Sequence, residues 1–409
     1  MTLFAACRSN MLSSLLAAFI FSLSAPAVAL ADTGFRQWIS EFRSVATRNG
    51  VSGRTYDAVF AGISSPDPEV IRKANFQPEF KSKVWDYIDN RVTESAIETG
   101  REMKVRYKRW LDIIERRYGV DRNILLAIWS METSYGAALE RDTALMSVAR
   151  SLATLAYQDK RRRKFARNQL IAAMKIVQNG DVSARDLRGS WAGAMGHTQF
   201  IPTSYQTWAV DIDGDGRRNI WESVPDALAS AANLLKKNGW QTGKTWGYEV
   251  HTPSNVSPKT AGTGSRPLSE WSRLGVKRVG GKAFPRPSDR ANLRELAGRS
   301  GPSFLMLKNF FVLKRYNNAD KYALAVGLLA DQIAGYGPLV VDWPRGYIPL
   351  DEEERKELQK RLLALGYYDG EIDGKIGGGS KAAIRQFQAR NGIEQDGYAS
   401  KKLLSRLRN

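Results

Sequence analysis

From Phe35 to about Gly239 the apolar residues recur at helical spacing between short polar connections, and no segment sustains an alternation of period two, so this region is predicted to be mainly α. Between Gly239 and Ser303 that pattern gives way to Gly, Pro, Ser and Thr with scattered aromatics such as Trp240, Trp246 and Tyr248, which predicts an irregular or short-stranded insertion. Helical spacing resumes near Ser303 and runs through the apolar stretch Tyr322 to Ala330, which ordinary packing explains. A linker rich in proline and glycine follows, with Pro338, Pro344 and Pro349. The acids Asp351 to Glu354 then suit the positive N-terminal end of a helix.

In the tail, Leu358, Leu362, Leu363 and Leu365 mark one helix ending at Gly366, and Ala383, Ile384 and Phe387 mark a second. Gly370, Gly374 and Gly397 sit beside aspartates and predict turns. The expected organisation is a leader over 1–31, a main domain over 32–337, a linker over 338–352 and a small domain over 353–409.

The leader is read from Arg8, the apolar run Met11 to Val28 and the small-x-small sequence Ala29-Leu30-Ala31, the pattern of a signal-peptidase site. The run is short for a membrane span, so export to the periplasm is expected, with the mature chain starting at Asp32. Cys7, the one cysteine, precedes the apolar core of the leader, whereas a lipid-attachment cysteine would follow it. The mature chain then has no thiol, which excludes disulfides, zinc–thiolate sites and cysteine nucleophiles. The formal net charge of +19 points, in an exported protein, to a polyanionic surface rather than to nucleic acid, with peripheral association to the wall or outer membrane. The basic run Lys160 to Lys164 reads as a solvated face.

The main chemical candidate is Glu132, which closes the apolar run Arg122 to Met131. A carboxylate set against a hydrophobic helix loses hydration, which favours its neutral form and suits a general acid; the plain alternative is a surface glutamate in a helix's last turn. A second stretch, Gly189 to Pro202, combines glycines that permit close backbone approach with Ser190, Gln199 and aromatics suited to sugar rings, although a tight helix contact would have the same pattern.

Taken together and in order, Glu132-Thr133-Ser134-Tyr135-Gly136, Gly193-Ala194-Met195-Gly196 leading to Gln199-Phe200-Ile201-Pro202, and Arg315-Tyr316-Asn317 resemble the membrane-bound lytic murein transglycosylase B family over most of residues 35–334. The tail resembles the peptidoglycan-binding module of bacterial wall enzymes through Leu365 to Gly370, Ile372-Asp373-Gly374, Phe387-Gln388 and Asp396-Gly397, and departs from it at Gly377-Gly378-Gly379-Ser380. The resemblance implies a lysozyme-like catalytic domain with inserted subdomains, a small three-helix peptidoglycan-binding domain, and peptidoglycan glycan strands as the partner. It implies cleavage of the bond from N-acetylmuramic acid to N-acetylglucosamine, with Glu132 as acid/base, no cofactor for the chemistry, and Ser190, Gln199, Tyr316 and Asn317 holding the sugar. Met195, Phe200, Tyr87 and Tyr135 are the further cleft candidates.

Glycosidases usually place two carboxylates about the scissile bond. No second acid accompanies these motifs: Asp112 and Glu115 fall on a separate helix, and Glu140 and Asp142 follow in a polar loop, all read as solvated. In the mechanism the resemblance implies, Glu132 protonates the glycosidic oxygen while the muramyl N-acetyl group assists, then takes the proton of the C6 hydroxyl. Attack by that hydroxyl leaves a 1,6-anhydro end, favoured over water by its high effective concentration. The alternatives are a hydrolytic muramidase and a non-catalytic wall-binding scaffold.

Residues 211–222 fit a calcium loop, with Asp211, Asp213, Asp215, the Arg217 carbonyl and Glu222 as oxygen ligands. Arg218 departs from the pattern, and the resemblance allows a longer loop that replaces Glu222 by Asp226. A structural Ca²⁺ is the candidate and a metal-free turn the alternative. His197 and His251 lie in different motifs, so no zinc site is expected from them, and neither serine motif resembles the nucleophile elbow of a Ser-His-Asp hydrolase.

Overall fold

The computed structural model describes residues 32–75, 83–140, 145–259 and 264–408. The leader and Asp142 lie outside them. Among the described residues no helix is long and apolar enough to cross a membrane.

The helices are α1 (Thr33–Arg48), α2 (Gly53–Phe60), α3 (Pro68–Asn75), α4 (Val84–Asp89), α5 (Glu94–Arg106), α6 (Lys108–Tyr118), α7 (Arg122–Thr133), α8 (Val148–Gln158), α9 (Arg163–Gln178), α10 (Pro202–Trp208), α11 (Val224–Lys237), α12 (Leu268–Arg273), α13 (Lys308–Tyr316), α14 (Asp320–Ile333), α15 (Glu352–Ala364), α16 (Gly378–Arg390) and α17 (Lys401–Arg408). The strands are β1 (Met146–Ser147), β2 (Arg188–Gly189), β3 (Gly247–His251), β4 (Arg266–Pro267), β5 (Lys277–Arg278), β6 (Arg290–Arg294) and β7 (Ser303–Met306). The expected mainly α, lysozyme-like architecture with an insertion and a small helical tail is what these elements build.

Helix α7 is the axis of the main domain. Asp121 caps its start by accepting from Asn123 N, and α5, α6, α11 and α14 all pack against it. Leu125, Leu126, Ala127 and Ile128 are wholly buried. A helix covered on every side has no polar stripe to show, which is why residues 124–129 read as an unbroken apolar run.

The insertion is a sheet of order β4-β6-β7-β3-β5 with antiparallel neighbours. Phe304 and Met306 join the core of the main domain, whereas Leu305 and Leu307 join a separate core with Leu268, Trp271 and Leu293. The sheet thus stands between two apolar layers. Ser303–Met306 is therefore a strand, not the start of a helix as the sequence pattern suggests, because burial on both faces removes the alternation by which a strand is read. The sheet region docks on α14 at Gly327, where a Cβ would come within 2.5 Å of the Trp246 ring.

The tail folds as three helices. Asp351 and Glu354 form a reciprocal capping box at the start of α15. Leu358, Leu362, Ile384 and Leu404 make the core, while Leu363 and Leu365 are exposed. Two buried glutamines pin the turns: Gln359 Oε1 accepts from Gly374 N at 2.7 Å, and Gln388 Oε1 accepts from Gly397 N at 3.0 Å. The domain seats on the end of α4 through Ile376 N to Asn90 Oδ1 at 2.7 Å and the Lys381–Asp86 ion pair at 2.5 Å. Arg345 of the linker pairs with Asp89 beside them at 2.5 Å.

Candidate active site

The chain must leave α7 abruptly for Glu132 to occupy its last turn. It does so through three successive left-handed residues, Ser134 (φ 49°), Tyr135 (φ 59°) and Gly136 (φ 95°). The first two are not glycine, so each carries a conformational cost of roughly 1–2 kcal/mol that the surrounding contacts must offset. Those contacts are present. Tyr135 donates its hydroxyl to Ala96 O at 2.7 Å and sets its ring edge-on to Trp129. Thr133 Oγ1 donates to His197 O at 2.8 Å. Gly136 is required on two counts, its φ and the 2.8 Å that a Cβ would leave to His197 Cε1.

His197 ties the loop after β2 to this helix end. Its Nδ1 accepts from Trp129 Nε1 at 3.1 Å, and burial lowers its pKa to about 4, so the imidazole is neutral and acts as a structural acceptor. On the far side, His197 N donates to Ile220 O at 2.9 Å and Tyr316 donates its hydroxyl to Thr198 O. The loop is held between α7, α13 and the segment that leads to α11.

Glu132 itself is half-buried, and Tyr322 of α14 donates its hydroxyl to Oε1 at 2.6 Å. The Tyr322 ring is only 3 % exposed and lies parallel to that of Tyr316, 6.4 Å between centroids. Burial, and after it the Glu132 carboxylate, hold both phenols well above the ordinary tyrosine range, so both remain protonated donors. Tyr87 lies close enough to Tyr322 to add to that rise, with the Lys321 ammonium 5.3 Å from its ring centroid.

The sequence candidates divide into distinct places. Glu132, Tyr87 and Tyr316 come together, and Tyr135 buttresses the helix end. Asn317 is exposed at the C-terminal cap of α13. Ser190 and Gln199 shape the loop: Ser190 Oγ accepts from Ala194 N at 3.0 Å, and Gln199, itself left-handed at φ 49°, donates Nε2 to Gly196 O at 3.0 Å. Met195 and Phe200 are corrected from sugar-facing to core residues, 0 % and 2 % exposed. Their backbones pair with each other across the turn at 2.9 and 3.0 Å, which turns both side chains into the core under the loop. Asp112 and Glu115, read as solvated, instead both bind the Arg122 guanidinium at the start of α7.

Tyr322 was missed because it opens a run that packing alone explains. The signal was its hydroxyl: a phenol in an otherwise apolar helix needs a polar partner.

In the acidic loop, oxygens of Asp211, Asp213 and Asp226 lie within 4.8 Å of one another. Asp226 is wholly buried and accepts from Ile212 N and Asn219 N, each at 2.8 Å. Burial, and then the charges of Asp213 and Asp211, push its pKa up to about 6. Asp215 and Glu222 are not among these three carboxylates: Asp215 is turned to the Arg217 guanidinium at 3.3 Å, and Glu222 accepts from Asn219 Nδ2 at 3.1 Å. The carboxylates that come together thus include Asp226 rather than Glu222.

Residues 34–331 match the family described as the transglycosylase SLT domain. This chain belongs to that family. Residues 351–407 match the peptidoglycan binding domain family as well. The membrane-bound lytic murein transglycosylase B of Escherichia coli strain K12 is 30% identical over 244 residues, which are 59% of this chain and 65% of that protein; the chain thus spans just under two thirds of that relative. SltB3 from Pseudomonas aeruginosa, solved in complex with NAG-NAM-pentapeptide, is 45% identical, with 91% of this chain and 99% of that one covered and a TM-score of 0.73. The Escherichia coli lytic transglycosylase Slt35, solved in complex with calcium, is 25% identical, covering 74% of this SLT-domain chain and 93% of its own, at a TM-score of 0.61.

Proposed function

We propose that the protein is a lytic transglycosylase that cleaves the β-1,4 bond between N-acetylmuramic acid and N-acetylglucosamine in peptidoglycan, with Glu132 as its one acid/base. The observation that carries this reading is the half-buried Glu132 carboxylate bound by the Tyr322 hydroxyl at 2.6 Å, at the end of a helix fixed on all sides. Glu132 in its protonated form donates to the glycosidic oxygen as the bond to the anomeric carbon breaks, while the muramyl N-acetyl group supports that carbon. The resulting carboxylate, still oriented by Tyr322, then accepts the proton of the C6 hydroxyl as its oxygen closes the 1,6-anhydro ring. Atoms and protons balance without water, and the carboxyl group is restored.

A solution digest of sacculi tests this. The wild-type chain should release muropeptides with anhydro ends, lighter by one water than those of a muramidase, and Glu132→Gln should release none while remaining folded. Reducing ends would favour the hydrolytic reading, and binding without release the scaffold reading. Export, the division into 32–337, 338–352 and 353–409, and a wall-anchoring role for the tail belong to the same proposal; the relatives acting on murein and the match over 351–407 support it.

The acidic loop is read as a structural Ca²⁺ site, as the calcium complex of Slt35 supports. Asp211, Asp213 and Asp226 would hold the ion, and their mutual repulsion around a buried carboxylate is what a dication relieves. Calcium at millimolar concentration should raise the thermal midpoint of the wild-type chain and leave that of Asp226→Asn unmoved; equal response of the two would remove Asp226 from the site.

A further inference from the structure

Two cavities adjoin along α13. The first, of about 440 Å³, includes Lys244, Asp289, Arg290 and Lys308 in its wall, and the second, of about 540 Å³, includes Lys308, Lys314, Arg315 and Asn318. Lys308 and Phe311 line both, so the two form one groove. Residues 308, 311 and 315 are spaced by three and four, which puts them on one face of the helix. The groove therefore runs the length of α13, from the sheet at one end to the residues beside Tyr316 and Asn317 at the other.

Its charge is cationic and only partly neutralised. Lys314 is paired with Asp320 and Lys244 with Asp289, each at 2.6 Å. Lys308 and Arg315 are exposed and form no ion pair among the described residues. At the far end the Asp289 side chain is 8 % exposed and its Oδ2 has no hydrogen-bond partner among the described residues. Lys244 holds the other oxygen of that carboxylate, so the groove offers a cation at each end of α13, Lys308 at the sheet and Arg315 beside Tyr316, with one carboxylate oxygen near Lys308 left to accept from an ammonium.

We propose that this groove binds the peptide stem borne by the muramic acid, taking its carboxylates on Lys308 and Arg315. The proposal rests on peptidoglycan being the substrate, and the length agrees with it. At a rise of 1.5 Å per residue the nine residues of α13 span about 13 Å, and an extended five-residue peptide spans about 17 Å. A stem attached to a sugar beside Glu132 and Tyr316 would pass Arg315, lie along α13 and bring its C-terminal carboxylate to Lys308 at the sheet end. Phe311 supplies the apolar wall for its small side chains.

The test is binding, so that it does not depend on turnover. A synthetic stem pentapeptide with a free C-terminal carboxylate is titrated into the full chain carrying Glu132→Gln, and into the same chain with Lys308→Glu and Arg315→Glu added. Binding should weaken at least tenfold in the latter, weaken with added salt, and persist in a chain carrying Glu132→Gln with Lys308→Arg. No binding at millimolar peptide, or equal binding by the charge-reversed chain with unchanged circular dichroism, overturns the proposal. If the wild-type chain releases anhydro products while the peptide fails to bind, only the groove assignment falls; if the peptide binds as expected and no anhydro product forms, only the catalytic reading falls.

Discussion

Removal of one hydroxyl tests how the acid is held. In Tyr322→Phe the ring keeps its place, since it is 3 % exposed and stacked on Tyr316, and the change is confined to the bond from the hydroxyl to Glu132 Oε1 at 2.6 Å. A hydrogen bond to a charged group contributes roughly 1.5–3 kcal/mol. If that bond orients the carboxylate through both proton transfers, its loss should slow cleavage by roughly 10- to 150-fold, because each 1.36 kcal/mol is tenfold in rate. Folding should suffer less, about 1 kcal/mol, as the exchange of a paired hydroxyl for a ring hydrogen leaves no cavity. The assay is the initial rate of anhydromuropeptide release from sacculi, beside a denaturation curve for each chain. A rate within twofold of wild type, with Glu132→Gln inactive, would refute the claim that Tyr322 positions the acid. A drop in rate matched by general unfolding would refute it equally.

Two further outcomes follow from the geometry. Gly136→Ala combines a left-handed φ with a Cβ 2.8 Å from His197 Cε1 and should cost about 2–4 kcal/mol, whereas Gly180→Ala, left-handed but with open space around it, should cost only about 1 kcal/mol; equal midpoints in denaturant would deny the clash. Burial pushes the Asp331 carboxyl up to about 7, so between about pH 4 and pH 7 the folded chain keeps a proton that the unfolded chain has released, and stability falls as pH rises through that window. Asp331→Asn retains an acceptor for Trp246 Nε1 and should lose that fall, gaining roughly 1–3 kcal/mol on wild type between pH 4 and pH 8; parallel pH curves would contradict it.

The parts of the fold legible in the sequence were those whose polarity varies along the chain. The capping box at Asp351 and Glu354 is local, three positions apart, and the turns at Gly374 and Gly397 announce themselves by the aspartate before each glycine, although the glutamines that pin them lie 15 and 9 positions back. The strand at Ser303–Met306 was hidden because both its faces are buried, and Tyr322 because an apolar helix conceals one hydroxyl. Met195 and Phe200 show the opposite error. They stand in a glycine-rich motif that reads as a sugar cleft, but the glycines let the loop fold tightly on itself: a Cβ on Gly189 would come within 2.2 Å of Ala194 O, and one on Gly196 within 2.4 Å of Ile220 O. That closeness drives the large side chains inward.

The acidic loop and the acid also belong to one mechanical unit, although their sequence motifs are far apart. Asp226 Oδ2 accepts from Asn219 N, the adjoining Ile220 O accepts from His197 N, and the adjoining Thr198 O accepts from Tyr316, which stacks on the tyrosine that binds Glu132. His197 also carries the load back to α7 through Trp129 and Thr133. Each link joins neighbouring residues, so a displacement at Asp226 has few free torsions in which to dissipate before it reaches the loop. Repulsion among Asp211, Asp213 and Asp226 would pull on one end of this series, and a bound dication would remove it. A cation at that loop can therefore matter to catalysis without touching the sugar, by holding Thr198 and Tyr316 in the positions that keep Tyr322 against the carboxylate.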